Sequence, residues 1–196
     1  MEQSKATHHQ HFKLNKPFGY LSQFASNAKH QQKMKFISAL YNFPEGTMPI
    51  GRLDKDSEGL LLLTTDGKLG NAINKGGLDK EYYVQVDGNI TESALAQLRQ
   101  GVTISHKHVA YTTKPCEAKL LEQIPEFSER GKKIRDERHG PTSWVSIVIS
   151  EGKFRQVRKM TASVGFPTLR LVRVRIGNIH LGQMQAAEVI PLKQLV

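Results

Sequence analysis

The chain has 196 residues, 38% apolar and 23% charged, proportions ordinary for a protein that folds around one core or as two small lobes. Its longest apolar run, Leu60 to Leu63, is far short of the roughly 20 residues a membrane span needs, and the polar stretch Met1 to His11 lacks the apolar core of a secretory signal. The net charge of +10 favours a polyanionic partner, through steering and counterion release at phosphates.

In chain order, residues 1–11 are expected to form a disordered tail and 12–196 a single folded domain. Phe12-Lys13-Leu14 reads as a strand entering the turn Asn15-Lys16-Pro17-Phe18-Gly19. Lys33 to Leu40 predicts a short helix closed by Asn42-Phe43-Pro44. Leu60 to Thr64 is a compact buried strand stopped by the turn signal Asp66-Gly67, and Lys68 to Ile73 a further short helix. Glu81 to Asp87 alternates, which places Tyr82, Val84 and Val86 on one face.

Thr91 to Gly101 carries the clearest helix signal: Thr91 suits the N-cap, Leu95 and Leu98 share a face, and Gly101 can end it. A long charged loop, 126–141, contains Lys132-Lys133-Ile134-Arg135 and reads equally as a solvated insertion or a nucleic-acid contact. Ser143 to Ser150 is a strand with Val145, Ile147 and Ile149 inward. Arg155 to Val164 is a helix burying Val157, Met160 and Val164, and Thr168 to Ile176 a strand whose outer positions are largely arginine. Strands outnumber helices without a regular alternation, an α+β pattern. The lone Cys116 excludes an intrachain disulfide and suits a reducing, cytoplasmic setting.

Lys153, Arg155, Arg158, Lys159, Arg170, Arg173 and Arg175 crowd one C-terminal stretch, opposed there only by Glu151. Such a patch fits nucleic acid better than an evenly solvated surface. There is no triphosphate-binding glycine loop and no dinucleotide fingerprint, and one cysteine is too few for a zinc base deaminase. Gly51-Arg52-Leu53-Asp54-Lys55-Asp56-Ser57-Glu58-Gly59-Leu60 packs three carboxylates into a loop before the leucine strand. Asp54, Asp56, Glu58 and Gly59 mimic the start of a calcium loop, but Thr65 stands where the final glutamate belongs, and a strand follows in place of a helix. Taken alone, the segment is a solvated turn.

Three stretches in order change that reading. The segment 51–61, Lys80-Glu81-Tyr82, and Glu151-Gly152-Lys153-Phe154-Arg155-Gln156-Val157-Arg158-Lys159-Met160 together resemble the motifs of the pseudouridine synthases. Asp56-Ser57-Glu58-Gly59-Leu60 points to the branch containing the small-subunit rRNA enzyme and its large-subunit relatives. Pro141 to Trp144 and Thr161 to Leu171 are most similar to a large-subunit member.

The resemblance covers about residues 12–190. It implies an extended, mostly antiparallel mixed sheet with flanking helices, and two lobes (about 12–78 and 79–182) around a cleft. With only about eleven polar residues before the catalytic region, no S4-type RNA-binding domain is expected, which favours the single-domain type. The implied target is then a 23S rRNA uridine near the peptidyl-transferase region, in free RNA or in a large-subunit assembly intermediate, acted on by a monomer without a membrane. A non-catalytic rRNA-binding or assembly factor on the same fold is the rival reading.

The implied chemistry needs no metal and no cofactor, because the isomerisation adds no atoms and changes no oxidation state. It needs one ionised carboxylate at the ribose. The resemblance assigns this to Asp54, with Arg158 beside it to keep it charged in a cleft where desolvation opposes ionisation. It gives Arg52 the space vacated by a flipped base and Tyr82 the stacking position, although a strand tyrosine also suits core packing. Lys80, Lys153, Arg155, Lys159, Arg170 and Arg173 are expected to contact RNA, and 153, 155 and 159 to share one helical edge.

Overall fold

A computed structural model describes residues 8–195 apart from 32 and 136. The expected tail therefore lies largely outside the described residues, but its last residue does not behave as tail: His11 opens the first strand.

Strand β1 (His11–Lys16) is followed by the two-residue strands β2 (Tyr20–Leu21) and β3 (Lys35–Phe36), then β4 (Met48–Ile50) and β5 (Glu58–Thr64). Helix α1 (Gly67–Lys75) leads to β6 (Lys80–Asp87), α2 (Glu92–Gln100), the hairpin β7 (Thr103–His106) and β8 (Val109–Thr112), and β9 (Glu117–Leu120). β10 (Thr142–Ile149), α3 (Gln156–Ser163), β11 (Thr168–Ile176), β12 (Ile179–His180) and β13 (Val189–Leu192) complete the chain. The main sheet runs β13-β1-β5-β11-β6-β10-β9, with β4 on β5 and β12 on β11. Only β5 and β11 pair in parallel within it, so the α+β, mostly antiparallel expectation holds.

The leucine run is central because β5 is buried on both faces. Leu60 and Leu62 enter one core cluster with Ile50, Val172 and Ile176, while Leu61 and Leu63 enter another with Phe12, Leu14 and Ile37. A third cluster packs Tyr82, Val84 and Val86 against Leu95 and Leu98 of α2 and Val157 and Met160 of α3. The alternation read from β6 is thus the face that receives two helices.

The 33–40 helix does not form. Lys35 and Phe36 pair with Tyr20 and Leu21, and only Ile37–Ala39 makes a 3-10 turn, because one turn suffices to bury Ile37 and pack Leu40 beside it. The Asp66-Gly67 turn signal is in fact a helix cap: Asp66 accepts from the backbone N–H of Lys68 and Leu69, and α1 runs two residues past Ile73.

One row across the sheet positions the site. Lys16 pairs with Gly59, Gly59 with Arg173, Arg173 with Tyr82, and Tyr82 with Ile147. Gly59 has φ +101°, and a Cβ there would stand 2.3 Å from the Arg173 carbonyl oxygen. Only glycine permits β5 and β11 to approach this closely directly below the 51–57 loop.

Candidate active site

The three sequence motifs meet at one cleft of about 930 Å³. The loop carrying Asp54 forms one wall, Lys80 and Tyr82 on β6 and Leu171 and Arg173 on β11 form another, and the 149–157 segment leading into α3 closes the third.

The loop is pinned from its far side. The buried Ser22 hydroxyl accepts from the Leu53 amide at 3.0 Å and donates to the Leu53 carbonyl at 2.8 Å, while the Gly19 amide donates to the Lys55 carbonyl at 2.8 Å. A turn closed from the Ser57 amide to the Asp54 carbonyl then holds the Asp54 side chain on the cleft wall, 25% exposed. Arg155 crosses to it from the opposite segment. Its guanidinium grips both oxygens of Asp56 at 2.8 and 2.9 Å and stands 3.5 Å from Asp54 Oδ2. Arg158 donates to the Asp56 carbonyl at 2.8 Å and lies 3.5 Å from Asp56 Oδ2.

This differs from expectation in two respects. The cation paired with Asp54 is Arg155, while Arg158 braces the loop through Asp56 and acts on Asp54 from further away. α3 begins only at Gln156, so Lys153, Arg155 and Lys159 do not share a helical edge. Arg155 is the N-cap residue, in the left-handed region at φ 52°, and that bend turns its side chain towards the carboxylates.

Charges in the cleft oppose one another. Burial raises the Asp54 pKa above its ordinary value and Asp56 adds to the rise, while Arg155, Arg158 and Lys16 counter it. Asp56 goes the other way: despite its own burial, the Arg155 hydrogen bonds and the charge of Arg158 hold it below the usual range. Lys16, fully buried beneath the loop, donates to the carbonyls of Pro17 and Tyr20. Desolvation pushes its pKa down to about 7 against the pull of Glu58, Asp56 and Asp54.

Tyr82 is 8% exposed and lines the cleft, so core packing and a place at the site coincide in one residue. Arg52 is exposed on the rim beside Asp54, and Lys153 lines the same cleft. Lys80 lines it too, with its ammonium on the Leu78 carbonyl at 2.6 Å and its pKa lowered by burial and by Arg173. Lys159 lies off the cleft lining and donates to the Ser105 carbonyl at 2.7 Å.

The arginines of β11 do not project outward. Arg170 makes a two-pronged pair with the buried Glu58 at 3.1 and 2.8 Å, and Arg173, 3% exposed, donates to the Leu60 carbonyl at 2.8 Å. The expected alternation does not hold: the register shifts between 168 and 170 and between 173 and 175, and Leu171, Val172 and Arg173 are buried in succession, so on this mid-sheet strand the basic positions find internal partners. Reading the sequence also missed Lys16, Ser22 and Asp56 as parts of the site. Lys16 carried a signal, since it continues the buried series Phe12, Leu14 at the period of a strand.

The 10–163 region matches the family model described as RNA pseudouridylate synthase. The chain is 41% identical over 170 residues to the ribosomal large subunit pseudouridine synthase E of Xanthomonas axonopodis pv. citri (strain 306), covering 86% of each chain. It is 40% identical over 177 residues to the protein of that name from Vibrio vulnificus (strain CMCP6), covering 89% of this chain and 71% of the relative. Among solved structures, a crystal structure of a pseudouridylate synthase superposes with a TM-score of 0.76 at 26% identity, over 94% of this chain and 70% of the other. With the match spanning both the Asp54 loop and the Arg155 segment, the chain belongs to the RNA pseudouridylate synthase family.

Proposed function

We propose that the chain isomerises one uridine of large-subunit ribosomal RNA to pseudouridine, with Asp54 as the reacting carboxylate. The observation that carries this reading is the position of Asp54, held on a cleft wall by the Ser22 clamp and 3.5 Å from the Arg155 guanidinium. The relatives named above supply the substrate class, and the net charge of +10 suits it.

The uridine leaves its stack, at a cost of a few kcal/mol, and enters the cleft beside Tyr82, with Arg52 on the rim positioned to fill the vacated space. The glycosidic C1′–N1 bond breaks, the base turns, and C5 bonds to C1′; C5 then loses its proton and N1 gains one, so the product is an isomer. Asp54 serves the ribose either as nucleophile at C1′ or as base at C2′. Both routes need its ionised form, which Arg155 and Arg158 favour. Lys80 and Lys153 supply cations on the cleft walls.

Because burial raises the Asp54 pKa, single-turnover rates are expected to fall on acidification with a midpoint above the ordinary Asp value of about 3.9. Asp56→Asn removes a neighbouring negative charge and frees Arg155 for Asp54, so it moves that midpoint to lower pH. Arg155→Ala moves it up. A midpoint indifferent to both variants removes Asp54 from the rate-determining ionisation.

The direct test is to incubate the purified chain with unmodified ribosomal RNA and map pseudouridine. A new pseudouridine in the large-subunit RNA is the expected result. None in that RNA, either free or within an assembly intermediate, overturns the reading.

A further inference from the structure

Phe154 belongs to none of the core clusters among the described residues and is 67% exposed. A single exposed apolar side chain is ordinary on a protein surface. The position of this one is not: it lines the mouth of the cleft, next in sequence to the Arg155 that pairs with Asp54.

Its surroundings are cationic. The Lys159 ammonium lies 5.3 Å from the Phe154 ring centroid, and the Lys153 ammonium 4.9 Å from that of Tyr111. The Lys159 bond to the Ser105 carbonyl ties α3 to the β7–β8 hairpin, whose tip carries Lys107 and His108 in left-handed conformations. His106 on that hairpin is held below its ordinary pKa chiefly by desolvation, with smaller contributions from Lys153, Lys107 and Lys159. The nearby carboxylate, Glu151, is occupied by Tyr111, the Lys114 amide and Gln156. An exposed ring among lysines beside an open cleft is the combination that binds single-stranded nucleic acid, since every base has a face to stack and every phosphate a charge to meet.

We propose that Phe154 is a stacking platform for the RNA base adjoining the nucleotide held in the cleft, with Lys153 and Lys159 set against the flanking phosphates. The inference rests on the proposed function for what occupies the cleft, and adds the residue that grips the neighbouring nucleotide. An aromatic–base stack accounts for roughly 5- to 150-fold in affinity.

The probe is a uridine-rich single-stranded RNA of about a dozen nucleotides, with affinity measured across a salt series. Phe154→Ala and Phe154→Leu are each expected to weaken binding about tenfold with an unchanged salt slope, and Phe154→Tyr to bind as the natural chain does. Lys159→Ala is expected to reduce the slope by about one. Binding of the alanine variant within about twofold of the natural chain, or full retention by the leucine variant, overturns the platform. Activity does not enter this readout. If the affinity pattern appears while ribosomal RNA acquires no pseudouridine, the proposed reaction fails and the platform stands.

Discussion

Asp54→Asn is expected to abolish pseudouridine formation, with a loss of at least about 10⁴-fold in single-turnover rate, while ribosomal RNA still binds within about twofold of the natural affinity. The amide keeps the shape of the side chain and its place on the wall, but supplies neither a nucleophile nor a base at the ribose. Stability gives an independent check. The folded-state pKa of Asp54 lies above its unfolded value, so its contribution favours the folded state at pH below the unfolded pKa and is lost as pH rises through the folded one. Asn, which does not ionise, escapes that loss, and the variant is expected to be at least as stable as the natural chain at neutral pH. Retained activity would remove Asp54 from the reaction; an RNA-binding factor without catalysis, the rival reading, would instead show no pseudouridine formation by the natural chain. Loss of RNA binding together with activity would make Asp54 a structural residue.

How much of this was legible beforehand depended on whether a signal was local. The β6 alternation, the Thr91 cap of α2 and the leucine strand are properties of short windows, and the structure reproduces them within one or two residues. The strands β7, β8 and β9 give no such signal, because Ile104 and Ala118 are their buried residues and the remaining positions are exposed or half-buried, which leaves too little apolar periodicity. The site divides in the same way. Asp54, Tyr82 and Arg158 were marked by motifs, whereas the pairing of Arg155 with Asp54 spans about a hundred residues and depends on one left-handed backbone conformation. The loop at 126–141, left open between solvent and nucleic acid, is tied inward at several described positions. Phe127 packs between Tyr83 and Trp144, Arg130 stands 4.1 Å from the Phe18 ring centroid, and Arg135 pairs with Asp87. A run of basic residues states its charge in the sequence, but its partners belong to the fold.

Glu58 is where that distinction has its largest consequence for stability. Its carboxylate is 9% exposed and sits between Arg170, at 2.8 Å, and Arg130, at 3.4 Å, whose own side chains are 12% and 10% exposed. Arg170 also donates to the Ser128 carbonyl and Arg130 to the Leu169 carbonyl, so one carboxylate joins the start of β5, the middle of β11 and the 128–130 segment. Removing it strands two buried guanidinium groups. Glu58→Ala is therefore expected to lower the unfolding free energy by about 3–5 kcal/mol, and Glu58→Gln, which keeps one acceptor oxygen, by less. Urea denaturation reads the first as a fall in midpoint, with faster proteolytic cutting near residues 128–133 as that segment loses its anchor. Activity should fall through the geometry of the loop, since Glu58 follows Asp54 by four residues and its charge is the largest influence keeping buried Lys16 protonated beneath it. A loss below about 1 kcal/mol in Glu58→Ala would mean that Arg130 and Arg170 reach solvent or other partners, returning Arg170 to the RNA-facing surface on which its sequence position had placed it.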